Sequence, residues 1–349
     1  MSGDLAEGPS CPLPAPARRV LLAHGGGGRM SQRLVERLFA PAFGPGLDAR
    51  HDAALLAPPP GRLAFSTDAY VVSPLFFPGG DVGALAVNGT VNDLAMVGAR
   101  PLWLSAAFVL EEGFPLLDLE RVAASMRRAA EAAGVQVVTG DTKVVERGKG
   151  DGLYLVTSGV GVVEHALRLG PDAIRPGDAV LVSGDLGRHG AAVLCAREGL
   201  GLESALHSDC APLWEPVRAL LAAGLELHAL RDLTRGGLAS ALVELSEACG
   251  LRFELDEVAI PVDEAVRGPC ELLGLDPLQV ANEGRFALFL PAAQAGRALE
   301  LLRALPVSAG AARVGAVSQA RPACVTLATP GGATRVLDML SGEQLPRIC

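Results

Sequence analysis

Strand-sized apolar runs alternate with helical segments in two successive rounds, and this order constrains the fold more than any other property of the chain. In the first round Arg62–Ser66, Leu102–Leu110, Val135–Thr139 and Leu153–Val163 read as strands, with helices over about Gly83–Val97 and Leu117–Ala133. Pro171–Asp178 carries two prolines and a glycine and breaks the pattern like a hinge. The second round supplies strands at Ala179–Ser183, Arg252–Leu255, Phe286–Leu290 and Val325–Ala328, and helices at Gly190–Glu198, Leu213–Ala223, Leu238–Cys249 and Ala292–Leu305. The expected fold class is α/β (α+β), with domains at 20–167 and 168–340, a disordered leader over 1–19 and a mobile tail over 341–349. A chain of 349 residues is long enough for each domain to bury its own core.

Composition excludes several classes. Half of the residues are apolar and a fifth are charged, which is a folded globular balance. A formal net charge of −9 with no Lys/Arg-rich block argues against a general nucleic-acid binder. Apolar runs such as Phe286–Leu290 are far short of the ~20 residues that span a bilayer. The first twenty residues are acidic and Pro-rich with no apolar h-region, so a cytoplasmic protein is expected. Seven cysteines, an odd and widely spaced set without C-x-x-C, point neither to a disulfide framework nor to a zinc site. Cys195, Cys249 and Cys324 sit inside apolar runs and read as small buried hydrophobes. Cys349, the last residue of the sequence, does not.

Four short acidic motifs recur in the first half: His51-Asp52, Ser66-Thr67-Asp68, Asn92-Asp93-Leu94-Ala95 and Gly140-Asp141-Thr142-Lys143. Each places an Asp at the edge of an apolar segment, where a carboxylate can face a cleft without burying its charge. One such Asp is ordinarily a turn or helix cap. Four meeting in space would suit Mg²⁺, which takes carboxylates, water and phosphate oxygens. His24 to Gly28 form a glycine loop ahead of a helix with Leu34, Val35, Leu38 and Phe39 on one face, a place for phosphate on backbone N–H groups. Neither a Walker motif nor a dinucleotide fingerprint is present. Farther along, Arg231–Leu238 sets Asp232, Thr234 and two glycines between a strand and a helix, suited to capping and to an approaching anion. Asn282-Glu283-Gly284 before a strand is a further candidate. The polar stretch from Ser341 ends ProArgIleCys; roughly nine extended residues sweep about 25–30 Å. Such a tail lets a thiol visit a partner and then its own protein, with Arg347 placed to offset the carboxylate beside that thiol. It is not a prenylation box.

Taken in order, these motifs resemble the HypE family of hydrogenase maturation factors, in the aminoimidazole ribonucleotide synthetase-like (PurM-like) ATP-binding superfamily. The segments LAFSTDAYVVSPLFFPGGDVG, VNGTVNDLAMVGARP, EEGF, VTGDTKVV, RDLTRGGL, AVRGPCELLGLDPL, NEGR and LPRIC carry the resemblance, which runs from about His24 to Cys349. It implies a two-domain PurM-like fold, with a β-rich N-terminal domain that forms a homodimer, an α/β C-terminal domain and a flexible tail. It also implies a carbamoyl dehydratase, in which a carbamoyltransferase (HypF) loads Cys349. ATP with Mg²⁺ then drives dehydration of the S-carbamoyl group to S-cyano, and cyanide passes to a HypC–HypD iron-carrying complex as a ligand for [NiFe]-hydrogenase. Carried over residue by residue, ATP binding falls to His24, Gly26, Gly27, Asp68, Asn92, Asp93, Gly140, Asp141, Thr142, Asp232, Thr234 and Gly236. Mg²⁺ falls to Asp52, Asp68, Asp93 and Asp141, the proton-removing base to Lys143 or Glu283, and the modification to Cys349. The first acidic motif departs from the superfamily, reading His51-Asp52 where two adjacent acids are common. Two other readings stay open: a superfamily enzyme phosphorylating a free small molecule, of the selenophosphate synthetase or thiamine monophosphate kinase type, and a non-catalytic thiol carrier.

Overall fold

The computed structural model describes residues 18–44, 53–198, 206–340 and 347–349. In the first half β1 (Arg62–Tyr70), β4 (Ala99–Glu111), β5 (Gln136–Val145) and β6 (Leu153–Val163) form one sheet in the order β1-β6-β4-β5, with β4 and β5 parallel and the other pairs antiparallel. A small hairpin, β2 (Phe76–Phe77) and β3 (Gly80–Asp81), stands apart from it. Two helices cover one face, α3 (Val82–Met96) and α4 (Leu116–Ala133); α1 (Arg29–Leu34) and α2 (Ala40–Phe43) precede β1. Each owes its place to its sequence. In α4, Leu119, Val122, Ala123, Met126 and Ala130 recur at helical spacing and are buried, while Glu120 and Arg127 face solvent. By contrast α3 is apolar or small all round and is buried on nearly every side, between its own sheet and the second half. Its N-terminus is capped by Asp81, whose Oδ1 accepts from the Gly83 and Ala84 N–H groups at 2.8 and 3.0 Å.

The sheet's other face stays open. Alternation along β1 turns Ala64, Ser66, Asp68 and Tyr70 toward the helices and leaves Leu63 and Phe65 outside, 59% and 71% exposed.

The second half is a seven-stranded mixed sheet, β7 (Asp178–Val182), β8 (Ala229–Asp232), β9 (Arg252–Asp256), β10 (Phe286–Pro291), β11 (Ala312–Ser318), β12 (Val325–Ala328) and β13 (Thr334–Leu337). Its order is β13-β12-β9-β11-β7-β10-β8. Around it pack α5 (Arg188–Glu198), α6 (Trp214–Ala222), α7 (Gly237–Cys249), α8 (Glu264–Leu273) and α9 (Ala295–Arg303). No helix among the described residues is long and apolar enough to cross a membrane.

Besides the small hairpin, three elements of the second half escape the sequence pattern. Gly268 and Pro269 make Glu264–Leu273 look broken, yet α8 forms because Val266, Pro269 and Cys270 bury one face beside Ala191 and Ala192 of α5. In β11 the register slips between Arg313 and Gly315, which disguises its alternation. Thr334–Leu337 is short and mostly exposed, as suits an edge strand. At the other end of the chain, Arg19 is held in place: it bridges to Pro115 and donates from Nη1 to the Gly113 carbonyl at 2.7 Å.

Candidate active site

The residues singled out by sequence gather at two places. The first is a cavity of about 1160 Å³ between the helical stretch after the glycine loop and the β4–β5 edge of the sheet; His24, Gly27, Gly140, Asp141, Thr142 and Lys143 line it. Gly26 is exposed in the same loop and not on the cavity wall. Glycine is required beside it, because a Cβ at Gly25 would stand 2.5 Å from the Val144 backbone nitrogen. His24 Nδ1 accepts from the Leu21 N–H at 2.9 Å, which leaves the proton on Nε2, and burial lowers its proton affinity, so the ring is a neutral donor. Asp141 accepts from the Thr142 N–H at 2.8 Å and pairs with Lys143 Nζ at 3.2 Å, both side chains well exposed.

The second place lies between α3, β1 and the second half, and Cys349 is in it. Ser66 Oγ donates to Asp93 Oδ2 at 2.6 Å, and Asp68 Oδ1 accepts from the Ala69 N–H at 2.7 Å, so each carboxylate keeps one oxygen for a ligand. Burial raises the proton affinity of Asp93, with the Asp68 charge adding to it against the Ser66 bond. Asp232 at the end of β8 is pushed up to about 7, first by burial and then by the Asp93 charge, with Arg231 opposing. Thr234 and Gly236 form the turn before α7, where the Thr234 carbonyl accepts from the Gly237 N–H at 2.9 Å. The helix is capped by Gly236 without any side-chain cap, so neither Asp232 nor Thr234 is used for capping.

Glu283 is the buried centre. Burial, and then the charges of Asp209 and Asp232, raise its proton affinity well above the usual carboxyl range. The Cys349 thiol meets this carboxyl, and burial together with the Glu283 charge holds it firmly protonated, with Arg235 opposing. The cation near the thiol is therefore Arg235. Arg347, expected in that role, instead pairs with Asp151, Nη1 to Oδ2 at 2.5 Å. Gly284 is there of necessity, since a Cβ would fall 1.9 Å from the Asp209 carbonyl oxygen. A Gly284→Ala protein should lose about 1–3 kcal/mol of stability from that overlap, read as a lowered Tm. An unchanged Tm would show that the 209–211 segment moves aside freely.

Four carboxylates do not converge within one chain. Asp68 pairs with Thr157, Thr157 with Ala106, and Ala106 with Gly140, so Asp68 and Asp141 lie on opposite edges of the sheet. Three strand spacings of ~4.8 Å put about 14 Å between those edges. The side chains also face apart, Asp68 toward the helices and Asp141 toward the open face, as the period of two dictates. Among the described residues no three carboxylate, His or Cys groups lie close enough to enclose a metal; Asp52 lies outside the described residues. Asp68 and Asp93 each keep a carboxylate oxygen that a divalent cation bound together with phosphate oxygens could use, and the proton affinities of Asp93 and Asp232 are raised by burial and then by neighbouring carboxylates.

Asn92 departs from its expected role. Its amide donates to the Ala211 and Glu283 carbonyls at 3.1 and 3.3 Å and its Oδ1 accepts from the Leu213 N–H at 2.8 Å, which leaves neither amide hydrogen for a nucleotide. Asp209 carries no sequence signal, yet it is buried with Oδ2 on the Gly284 N–H and Oδ1 without a partner. The tip of the tail is seated in this structure: Ile348 is 3% exposed, and the Val71 and Ser73 N–H groups donate to the Cys349 and Arg347 backbone oxygens at 3.3 and 3.1 Å. Residues 341–346 lie outside the described residues.

Comparison with known proteins places this architecture. Residues 50–163 match the AIR synthase related protein N-terminal domain and residues 175–324 the corresponding C-terminal domain. The chain is 54% identical over 331 residues to the carbamoyl dehydratase HypE of Azotobacter vinelandii, covering 95% of this chain and 97% of that one. Its fold superposes on a crystal structure of the hydrogenase maturation protein HypE in complex with ATP, with a TM-score of 0.91 and 48% identity, covering 94% of this chain and 99% of that one. It superposes also on HypE in a HypE–HypF complex, with a TM-score of 0.78 and 43% identity over 88% of this chain and 99% of the other.

Proposed function

The chain belongs to the HypE family of AIR synthase related proteins, and from that premise we propose that it is a hydrogenase maturation enzyme, an ATP-dependent carbamoyl dehydratase acting on its own Cys349. The observation that carries this reading is the Cys349 thiol lying against the buried Glu283 carboxyl, among Asp68 and Asp232. A free small-molecule acceptor would have to compete with Ile348 and Cys349 for that place.

In this reading a carbamoyltransferase of the HypF kind places a carbamoyl group on the Cys349 sulfur, and the loaded tail returns to the site. The carbonyl oxygen attacks the γ-phosphorus of ATP and ADP departs. One amide proton is lost as the O-phosphoryl imidate forms; loss of the second, with cleavage of the C–O bond, releases phosphate and leaves S–C≡N. An amide oxygen is a hopeless leaving group and a phosphate is a good one, which is why ATP is spent. Glu283 is the base that receives an amide proton, being the strongly proton-seeking carboxylate beside the sulfur. Asp68, Asp93 and Asp232 would hold Mg²⁺, which neutralises phosphate charge when bound. The glycine loop and the Gly140–Lys143 segment bind nucleotide. The cyano group then passes to an iron carried by a HypC–HypD complex.

The two places become one site in a homodimer. Leu63 and Phe65 give the open face an apolar patch that a second copy would cover. A two-fold arrangement with the β1 edge beside the partner's β5 edge brings Asp141 and Lys143 of one subunit to Asp68 and Asp93 of the other, so Lys143 serves across the interface. Mixing Asp68→Asn with Asp141→Asn protein tests this: in a mixed dimer one composite site carries both changes and the other neither, so activity returns. Two inactive variants that stay inactive after subunit exchange would sink the shared site.

The function itself is tested by mass. With the loading partner, carbamoyl phosphate and ATP, the tail peptide should become lighter by one water than its carbamoylated form.

A further inference from the structure

Helix α5 holds the tail by two side chains that touch none of the reacting groups. His189 in its first turn is fully buried, edge-on to Phe77 with ring centroids 5.3 Å apart. Its Nε2 lies 2.7 Å from the Ile348 carbonyl oxygen and its Nδ1 2.9 Å from Ser208 Oγ. A carbonyl oxygen only accepts, so the proton sits on Nε2, and Nδ1 accepts from the Ser208 hydroxyl. Ser208 Oγ in turn accepts from the Cys210 N–H at 3.1 Å, which fixes the hydroxyl and through it the tautomer. Two turns on, Arg197 donates from Nε to the Ser73 carbonyl at 2.9 Å and from Nη2 to the Arg347 carbonyl at 2.7 Å. One guanidinium thus grips both sides of the pairing between residues 71–73 and the tail. The contacts to Ile348 and Arg347 are to backbone carbonyls, and the Ile348 side chain lies in the core with Val193 and Leu194.

Cys349 is half-buried with its thiol set against Glu283, a placement that another protein's active site cannot reach without drawing the tail out. The same sulfur therefore has two stations, and something must set the time spent at each. We propose that His189 and Arg197 are positioning residues forming a latch that sets the docked fraction of the tail, dividing Cys349 between dehydration inside and loading outside. The division between the two reactions rests on the function proposed above; the docked fraction does not. When the tail leaves, the His189 N–H loses its acceptor and Ile348 is uncovered, so both favour the seated state. Weakening the latch should move the two half-reactions in opposite directions, which a merely structural residue would not do.

The first readout needs only the protein. The rate at which N-ethylmaleimide modifies Cys349, followed peptide by peptide, should rise about five- to tenfold in His189→Leu and in Arg197→Ala, the shift expected from losing one buried hydrogen bond. His189→Gln keeps a donor at the reach of Nε2 and should react like the parent, and buried Cys270 should stay unmodified throughout. With the loading partner, both loosened variants should load faster and dehydrate the loaded tail more slowly. Cys349 reacting at the parental rate in the folded variants overturns the latch, as does a His189→Gln protein no different from His189→Leu. Should His189→Leu fail to fold, Arg197→Ala, at a partly exposed position, decides alone. Faster alkylation in a protein whose parent never dehydrates its loaded tail would keep the latch and sink the proposed chemistry.

Discussion

A Cys349→Ala protein, supplied with the loading partner, carbamoyl phosphate and ATP, should form no S-cyano product and release no phosphate above background. The loss should amount to the whole enzymatic acceleration, on the order of 10⁶-fold or more. The reason is stoichiometric: in the proposed chemistry the sulfur of Cys349 is the atom to which the reacting carbon is attached. Neither Cys210 nor Cys270 can take over. Cys210, which accepts from Asn88 Nδ2 at 3.4 Å, is held firmly in its acid form by burial, and burial pushes Cys270 up to about 11. Intact mass and phosphate release, measured on the same samples, check the expectation. Phosphate released at the parental rate without Cys349 would mean that another acceptor is being phosphorylated.

Glu283→Gln is the second large effect. Removing a positioned base lowers the rate by about 10²–10⁴, and here the change should fall on one half-reaction only. The partner still loads the tail, so carbamoylated Cys349 should accumulate while its dehydrated form does not. Folding should survive, because the Glu283 carbonyl, not its carboxylate, accepts from Asn92 Nδ2 and the Ala211 N–H. The substitution sets a neutral amide in place of a carboxyl whose ionisation burial and the charges of Asp209 and Asp232 oppose. Since the carboxyl must be deprotonated to act and its proton affinity is raised, the parent's dehydration rate should climb as pH rises above the usual carboxyl range. The Gln variant should lose that climb. An unchanged single-turnover rate in Glu283→Gln would transfer the role of base to another group.

What the sequence discloses is local, and what it hides is long-range. Leu153–Val163 is a strand in the structure as its alternation predicts, and helices at Val82–Met96 and Leu116–Ala133 fall within a residue of their expected bounds at most positions. Periodicity carries that information within a dozen residues. Strand order does not reside there: the interval from Asp68 to Asp141 says nothing of two opposite edges, and only the β1-β6-β4-β5 arrangement separates them. Asn92 resembles a ligand because it sits beside Asp93, and it becomes a fastener because Ala211, Leu213 and Glu283 arrive from more than a hundred residues away. His189, Ser208 and Asp209 belong to no periodic pattern, and their meaning comes from the tail and the Glu283 segment that fold against them. Cys349 was legible because no apolar run surrounds it.

The three hydrogen bonds of Asn92 also decide which part of this machine can move. They rivet α3 to the second half one residue away from Asp93, so any rotation of one half against the other would tear that rivet and drag a carboxylate out of register. Many enzymes admit substrate by opening a wall. Here the walls are pinned together at the helix that carries Asp93, and in the proposed chemistry the traffic falls instead to the end of the chain that bears Cys349. It is a furnace without a door, fed by a ladle cast in one piece with it.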